Sequence, residues 1–219
     1  HVPGIDTDAL GTFTGEIPRA GTLHEAAEAK ARLAMEASGA DLGLASEGAY
    51  GPHPQIPFLP SGVETLCLVD ARRGLVIRET MEIRRPTYDR AEGACPSMVE
   101  PFLARIGFPE QAVIARPLRP APGATAPYKG LRSRSALARA MSAATADSVD
   151  GLACVETDMR AHMNPTRMAD IARLGARLAA RLARLCPHCA APGFGPVRAG
   201  PPLPCDWCGA ASLDRAGEV

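Results

Sequence analysis

The sequence predicts an α/β or α+β domain, a mixed sheet flanked by helices, with a small cysteine-rich appendage. Three observations lead there. Short strand-like apolar runs alternate with helical patterns over residues 1–185. No stretch of eighteen apolar residues occurs, so no membrane partner is expected. Two Cys-x2-Cys pairs, Cys186/Cys189 and Cys205/Cys208, close the chain at 186–219.

Residues 1–21 carry Gly, Thr and acidic side chains and read as an extended loop. Thr22 to Ser38 is a helix: Leu23, Ala26, Ala27, Ala31, Ala34 and Met35 recur at helical spacing, and Gly39 stops it. Leu42 to Ala45 is a short strand ending in Ser46-Glu47-Gly48, and Gly51 to Pro60 is a rigid loop with four prolines. Val63–Val69 and Leu75–Ile83 form a hairpin through Asp70–Gly74. Ser97–Ile106 is a helix, Ala112–Ala115 a strand, and 117–127 a Pro/Ala/Gly linker. Ser133–Ala146 is a further helix and Leu152–Glu156 a further strand. The last helix starts at Pro165, capped by Asn164, with Met168, Ile171, Leu174, Leu178, Leu182 and Leu185 as its apolar stripe. Arg173, Arg177, Arg181 and Arg184 lie off that stripe and read as a solvated face.

Composition narrows the function. The 24 basic and 24 acidic residues of this 219-residue chain balance to zero net charge, which argues against a general nucleic-acid grip. With 46% apolar and 22% charged residues the chain is not disordered. All but two basic residues are Arg, the exceptions being Lys30 and Lys129, and Asn164 is the single Asn. In such a sequence these residues mark positions where a compact ammonium or a carboxamide is needed, or they survive by chance. The chain opens on His1 with no secretory pattern, so the domain is expected to be N-terminally incomplete and to reside in the cytoplasm.

Fifteen residues, 190–204, separate the two Cys-x2-Cys turns, a spacing suited to a structural zinc site in a ribbon. Each turn presents two thiolates, and two turns close a tetrahedron with no open position for catalysis. Free thiols or disulfides are the alternatives.

Thr22-Leu23-His24-Glu25 and the following Lys30-Ala31-Arg32, with Leu42-Gly43-Leu44-Ala45-Ser46-Glu47-Gly48, resemble the inosine/xanthosine triphosphate pyrophosphatase superfamily. The resemblance implies release of pyrophosphate from nucleoside triphosphates. It implies Glu25 as a Mg²⁺ ligand and Glu47 as the acidic residue that binds metal or activates water. Pro165-Thr166-Arg167 stands where that superfamily has a base-recognition element, and only Arg167 carries over. The superfamily's phosphate-cradling loop would lie upstream of His1. Over nearly its whole length the chain is also similar to an uncharacterised bacterial family, through Asp6–Phe13, the segment Glu156–Arg167 and the C-terminal cysteine turns. That similarity implies no activity.

The residues also have plainer readings. Thr22-x-x-Glu25 is a capping box and Asn164 an N-cap. Glu156, Asp158, Arg160, His162, Asn164 and Arg167 alternate with other residues, so an extended course would line them on one side as a phosphate or acid/base constellation. The alternative is a set of ion pairs bracing the last helix.

The combined expectation is a Mg²⁺-dependent hydrolase of a nucleotide or related phosphate ester. Glu25, Glu47, Glu156, Asp158 and His162 are its candidate catalytic residues. Lys30, Arg160, Asn164 and Arg167 are the candidate binding residues, and Cys186, Cys189, Cys205 and Cys208 the zinc ligands. The competing expectation is a non-catalytic nucleotide- or nucleic-acid-binding zinc-ribbon protein. Nucleic acid is the weaker partner, and a homodimer stays open.

Overall fold

The computed structural model describes residues 21–53, 56–83 and 85–195, together with the backbone of two strands at 198–204 and 211–218. Apart from Gly21, the loop expected over residues 1–21 lies outside the described residues, as do Cys205 and Cys208.

Helix α1, Leu23–Ser38, begins at the capping box and ends at Gly39, whose φ of 67° is the left-handed geometry of a helix C-cap. Its small buried residues Ala26, Ala27 and Ala31 let it lie close on a three-stranded sheet. That sheet has the order β1-β2-β3, with β1 Leu42–Pro52, β2 Pro60–Asp70 and β3 Leu75–Ile83, all antiparallel. The hairpin at 70–74 is as expected. The first strand is more than twice its expected length, because pairing with β2 runs unbroken from Leu42↔Asp70 to Pro52↔Pro60. On the opposite face lies α4, Pro165–Leu182, which buries Leu174 and Leu178 against Leu66 and Ile77. The first sheet is thus sandwiched between α1 and α4.

The second sheet has the order β4-β7-β5-β6: β4 Arg90–Gly93, β5 Val113–Pro117, β6 Tyr128–Leu131 and β7 Ala153–Thr157. Helices α2, Pro96–Ile106, and α3, Arg134–Ala146, cover one of its faces. Val99, Phe102, Leu103, Leu137 and Met141 pack there on Val113, Ala115 and Val155. Strands β4 and β6 are four residues long, too short for a period-two signal to stand out, which is why the sequence did not predict them.

The expectation of one mixed sheet is corrected by this topology. The described residues form two separate antiparallel sheets with four α-helices, and every paired neighbour runs antiparallel. The reason lies in the connections: β1–β2 and β2–β3 turn back directly, and the returns from β4 to β7 and β5 bring strands in oppositely. A further two-stranded pair, β8 Arg198–Pro204 with β9 Ala211–Glu218, follows.

Two expectations for α4 also change. Met168 is 47% exposed while Arg167 and Asp170 are buried, so the inward stripe includes charge. The arginines are not simply solvated: Arg173 pairs with Asp170, and Arg177 pairs with Glu79 at 3.4 Å. Arg181 donates to the carbonyls of Arg78 at 2.8 Å and Gly193 at 3.0 Å.

Candidate functional site

The polar residues that the sequence singles out occupy three places around the first sheet and its junction with the second. Successive strand residues point to opposite faces, so Glu47 and Gly48 straddle β1. Glu47 faces α1 and pairs with Lys30, one of the two lysines, with side chains 7% and 18% exposed. Beside this pair Thr65 stands opposite Glu47 in the register. The Thr65 and Thr80 hydroxyls are 3.0 Å apart, and Thr80 lies 3.1 Å from His24 Nε2.

On the other face, over Gly48, sits Glu64 of β2, fully buried. Its Oε2 accepts from Tyr50 Oη at 2.6 Å and from Arg167 Nε at 2.9 Å, and its Oε1 accepts from Arg167 Nη2 at 2.9 Å. Arg167 Nη1 donates to the Met159 carbonyl at 2.5 Å. The guanidinium carbon stands 5.5 Å from the Tyr50 ring centroid, within cation–π range. A Cβ at position 48 would fall 2.6 Å from Glu64 Oε2 and 2.8 Å from Arg167 Nη2, so only glycine admits this arrangement. Burial and the neighbouring Glu64 carboxylate push the Tyr50 hydroxyl well above the usual tyrosine pKa. Burial opposes charge on Arg167, but its bonds to Glu64, with Tyr50 and Glu47 nearby, outweigh that and raise its pKa.

The third place is the junction itself. The idea that residues 156–167 run extended with their functional groups on one side is corrected. Strand β7 ends at Thr157, and a 3-10 turn covers Ala161–Met163. The fully buried Asp158 carboxylate drives the turn. It accepts from the Arg160 backbone N–H at 3.1 Å, from Arg160 Nη2 at 2.6 Å and from the Gly130 N–H at 3.0 Å. Asn164 is likewise fully buried and caps α4, accepting from the Arg167 N–H at 2.9 Å and donating to Thr87 Oγ1 at 3.0 Å.

The remaining candidates lie apart. Glu156 sits on the face of the second sheet away from α2 and α3, 3.4 Å from Arg116. His162 is exposed, its carbonyl accepting from Arg132 at 3.2 Å. Glu25 is on the surface, where its Oε2 accepts from the Thr22 N–H at 2.7 Å and hydroxyl at 2.9 Å. Those bonds, the backbone one first, hold its carboxyl below the usual glutamate range. Glu25, Glu47, Glu156 and Asp158, the candidate metal ligands or bases, therefore do not converge: among the described residues no three His, Cys, Asp or Glu side chains gather into a metal site.

Sequence reasoning passed over Glu64, Tyr50 and the reason for Gly48. A carboxylate inside the apolar run of β2 was the available signal for Glu64, since Glu is seldom fully buried without a partner. Nothing local marks Tyr50.

Of the four expected zinc ligands, Cys186 and Cys189 are described. Leu185 and Pro192 pair as an antiparallel bridge around them, and the Ala190 N–H donates to the Cys186 carbonyl at 2.8 Å. The backbone N–H groups of Cys189 and His188 aim at the Cys186 sulfur and hold its thiol below the usual pKa. A Cβ on Gly193 would come 2.6 Å from Ile77, so this turn is seated against β3.

A protein-family model described as Domain of unknown function (DUF6671) matches residues 30–214. No curated protein matches the chain. No solved structure matches it. The family match runs from the Lys30 end of α1 through both sheets and α4 into β9, and so takes in Lys30–Glu47, Glu64–Arg167 and Asp158–Arg160 alike: the chain belongs to the DUF6671 family.

Proposed function

We propose that this domain hydrolyses a nucleotide or a related phosphate ester with Mg²⁺, at the Lys30–Glu47 pair. The observation that carries the reading is this pair itself. Lys30 and Glu47, both from the pyrophosphatase-like stretches, meet in a half-buried contact although helix and strand separate them. In this reading the Lys30 ammonium turns from Glu47 to the substrate phosphate. Glu47 then accepts a proton from the attacking water, whose oxygen bonds to phosphorus as the ester oxygen leaves with the electron pair. Thr80 and His24, 3.1 Å apart beside the buried Thr65, border the pair and supply hydrogen bonds to the substrate. Arg167 and Arg160 hold Glu64 and Asp158, and so position the sheets around the pair.

The donor set is consistent with Mg²⁺ held mostly by substrate phosphates and water with one carboxylate, and not with a protein-made cage. When bound there, Mg²⁺ would offset phosphate charge.

The test is a screen for phosphate and pyrophosphate release from nucleoside triphosphates and phosphate monoesters with Mg²⁺. Release should fall about 10²-fold in Glu47→Gln, the usual scale for a lost general base, and persist in Glu25→Gln. No release above background, or full activity in Glu47→Gln, overturns the reading.

The tight Cys186–Cys189 turn favours a second reading, a structural zinc ribbon that serves a non-catalytic nucleotide- or nucleic-acid-binding module. In that case purified protein carries stoichiometric zinc, and nucleotide binds without turnover.

A further inference from the structure

A cleft of about 770 Å³ opens at one end of the first sheet, between the start of β2, the end of β3 and residues 85–86. It shares no lining residue with the Lys30–Glu47 pair or the Glu64–Arg167 cluster. Its volume is that of a small-ligand site. Leu59 and Val63 supply an apolar wall, and Pro60 and Pro86 stiffen it by fixing their own φ angles. The His53 N–H donates to the Leu59 carbonyl at 2.7 Å, which holds this stretch of wall in place.

Two charged side chains of opposite sign in the lining decide what kind of ligand fits. Glu82 stands opposite Val63 in the β2–β3 register, so both side chains rise from the same face of the sheet, the one on which α1 lies. His24, in the first turn of α1, reaches Thr80 at 3.1 Å. Glu82 is the next residue of β3 on that face, past the start of the helix, and it is exposed. Arg85 follows three residues on and is exposed as well. Among the described residues neither side chain makes a hydrogen bond or ion pair, with the other or with a third group. A simple anion held by Arg85 would meet the Glu82 carboxylate, and a simple cation held by Glu82 would meet the guanidinium. A ligand that carries both charges satisfies both groups.

We propose that this cleft binds a zwitterionic α-amino acid with an apolar side chain: its ammonium on Glu82, its carboxylate on Arg85 and its side chain against Leu59 and Val63. The ammonium and the carboxylate of such a ligand share one carbon, so both are within reach of groups on a single stretch of wall. The guanidinium offers a carboxylate two parallel donors, and the Glu82 carboxylate accepts from the ammonium, so each contact is charge-assisted. Selection rests on the two charges together, and blocking either end of the ligand weakens it.

Isothermal titration of the full chain tests this, with L-leucine and L-phenylalanine as probes, each beside its N-acetyl derivative, which lacks the ammonium, and its amide, which lacks the carboxylate. At least one amino acid should bind saturably, and about tenfold tighter than either of its derivatives, the scale of one charge-assisted contact. Glu82→Gln should abolish the preference over the N-acetyl derivative and keep the preference over the amide. Arg85→Gln should do the reverse. Saturable binding of neither amino acid, derivatives that bind as tightly as the parent, or preferences that survive both substitutions overturn the proposal. Glu82 and Arg85 are exposed, so neither substitution threatens the fold. No probe carries a phosphate, so the outcome is independent of whether the Lys30–Glu47 pair hydrolyses one.

Discussion

Arg167 of α4 holds Glu64 of β2 through two parallel hydrogen bonds of 2.9 Å, with side chains 5% and 0% exposed. Two charges removed from water stay stable only when each completes the other, so deleting one partner is costlier than the pair is worth. Glu64→Gln and Arg167→Met should each destabilise the protein by about 3–5 kcal/mol in urea unfolding. The double variant should lose less than the sum of the two.

Gly48 is the floor under that pair. The Cβ of Gly48→Ala would collide with Glu64 Oε2 and Arg167 Nη2, at a cost of about 1–3 kcal/mol. In a Glu64→Ala background part of that penalty should vanish, because the nearest of three colliding groups is gone while Arg167 Nη2 and Tyr50 Cε2 remain at 2.8 Å. The comparison requires four unfolding curves, and an unchanged penalty would refute steric crowding as the cause.

The start of α1 offers a test by pH. Thr22→Ala removes the acceptor for the Glu25 N–H and should cost about 1 kcal/mol. Glu25 has a folded pKa below its ordinary value of 4.5. Its contribution is therefore fully present above that value and is lost as pH falls through it towards the lower folded pKa. Thermal melts of wild type and Glu25→Gln should differ at neutral pH and converge in acid.

The Cys186 turn predicts metal dependence. If Cys186 and Cys189 hold zinc, Cys189→Ser should abolish stoichiometric zinc in the purified protein, and chelation should lower the melting temperature of wild type but not of the variant. The turn rests on Ile77 through Gly193, so loss of metal should be felt at β3, as faster amide exchange there.

Much of the local structure was legible. The capping box at Thr22 and Glu25, Asn164 before Pro165, and the hairpin at 70–74 all appear where expected. Each rests on contacts between residues three or four apart, or on a two-residue period, so neighbouring sequence suffices. The expectation for residues 156–167 failed for a physical reason. Period-two alternation holds only while a strand has a partner, and pairing with β5 stops at Val113↔Thr157, after which Asp158 folds the chain around its own carboxylate.

The sequence by itself determined the helices, the long hairpin and the mixing of helices with strands, α/β or α+β, because those follow from local hydrogen bonding and periodicity. Only the tertiary structure decided that Lys30 meets Glu47, that Glu64 meets Arg167 over Gly48, and that the strands make two antiparallel sheets. Those partners lie up to 103 residues apart. No local propensity joins them; they meet because the first sheet buries its two faces under α1 and α4, and a charge enclosed by that packing persists only where the packing delivers its counter-charge.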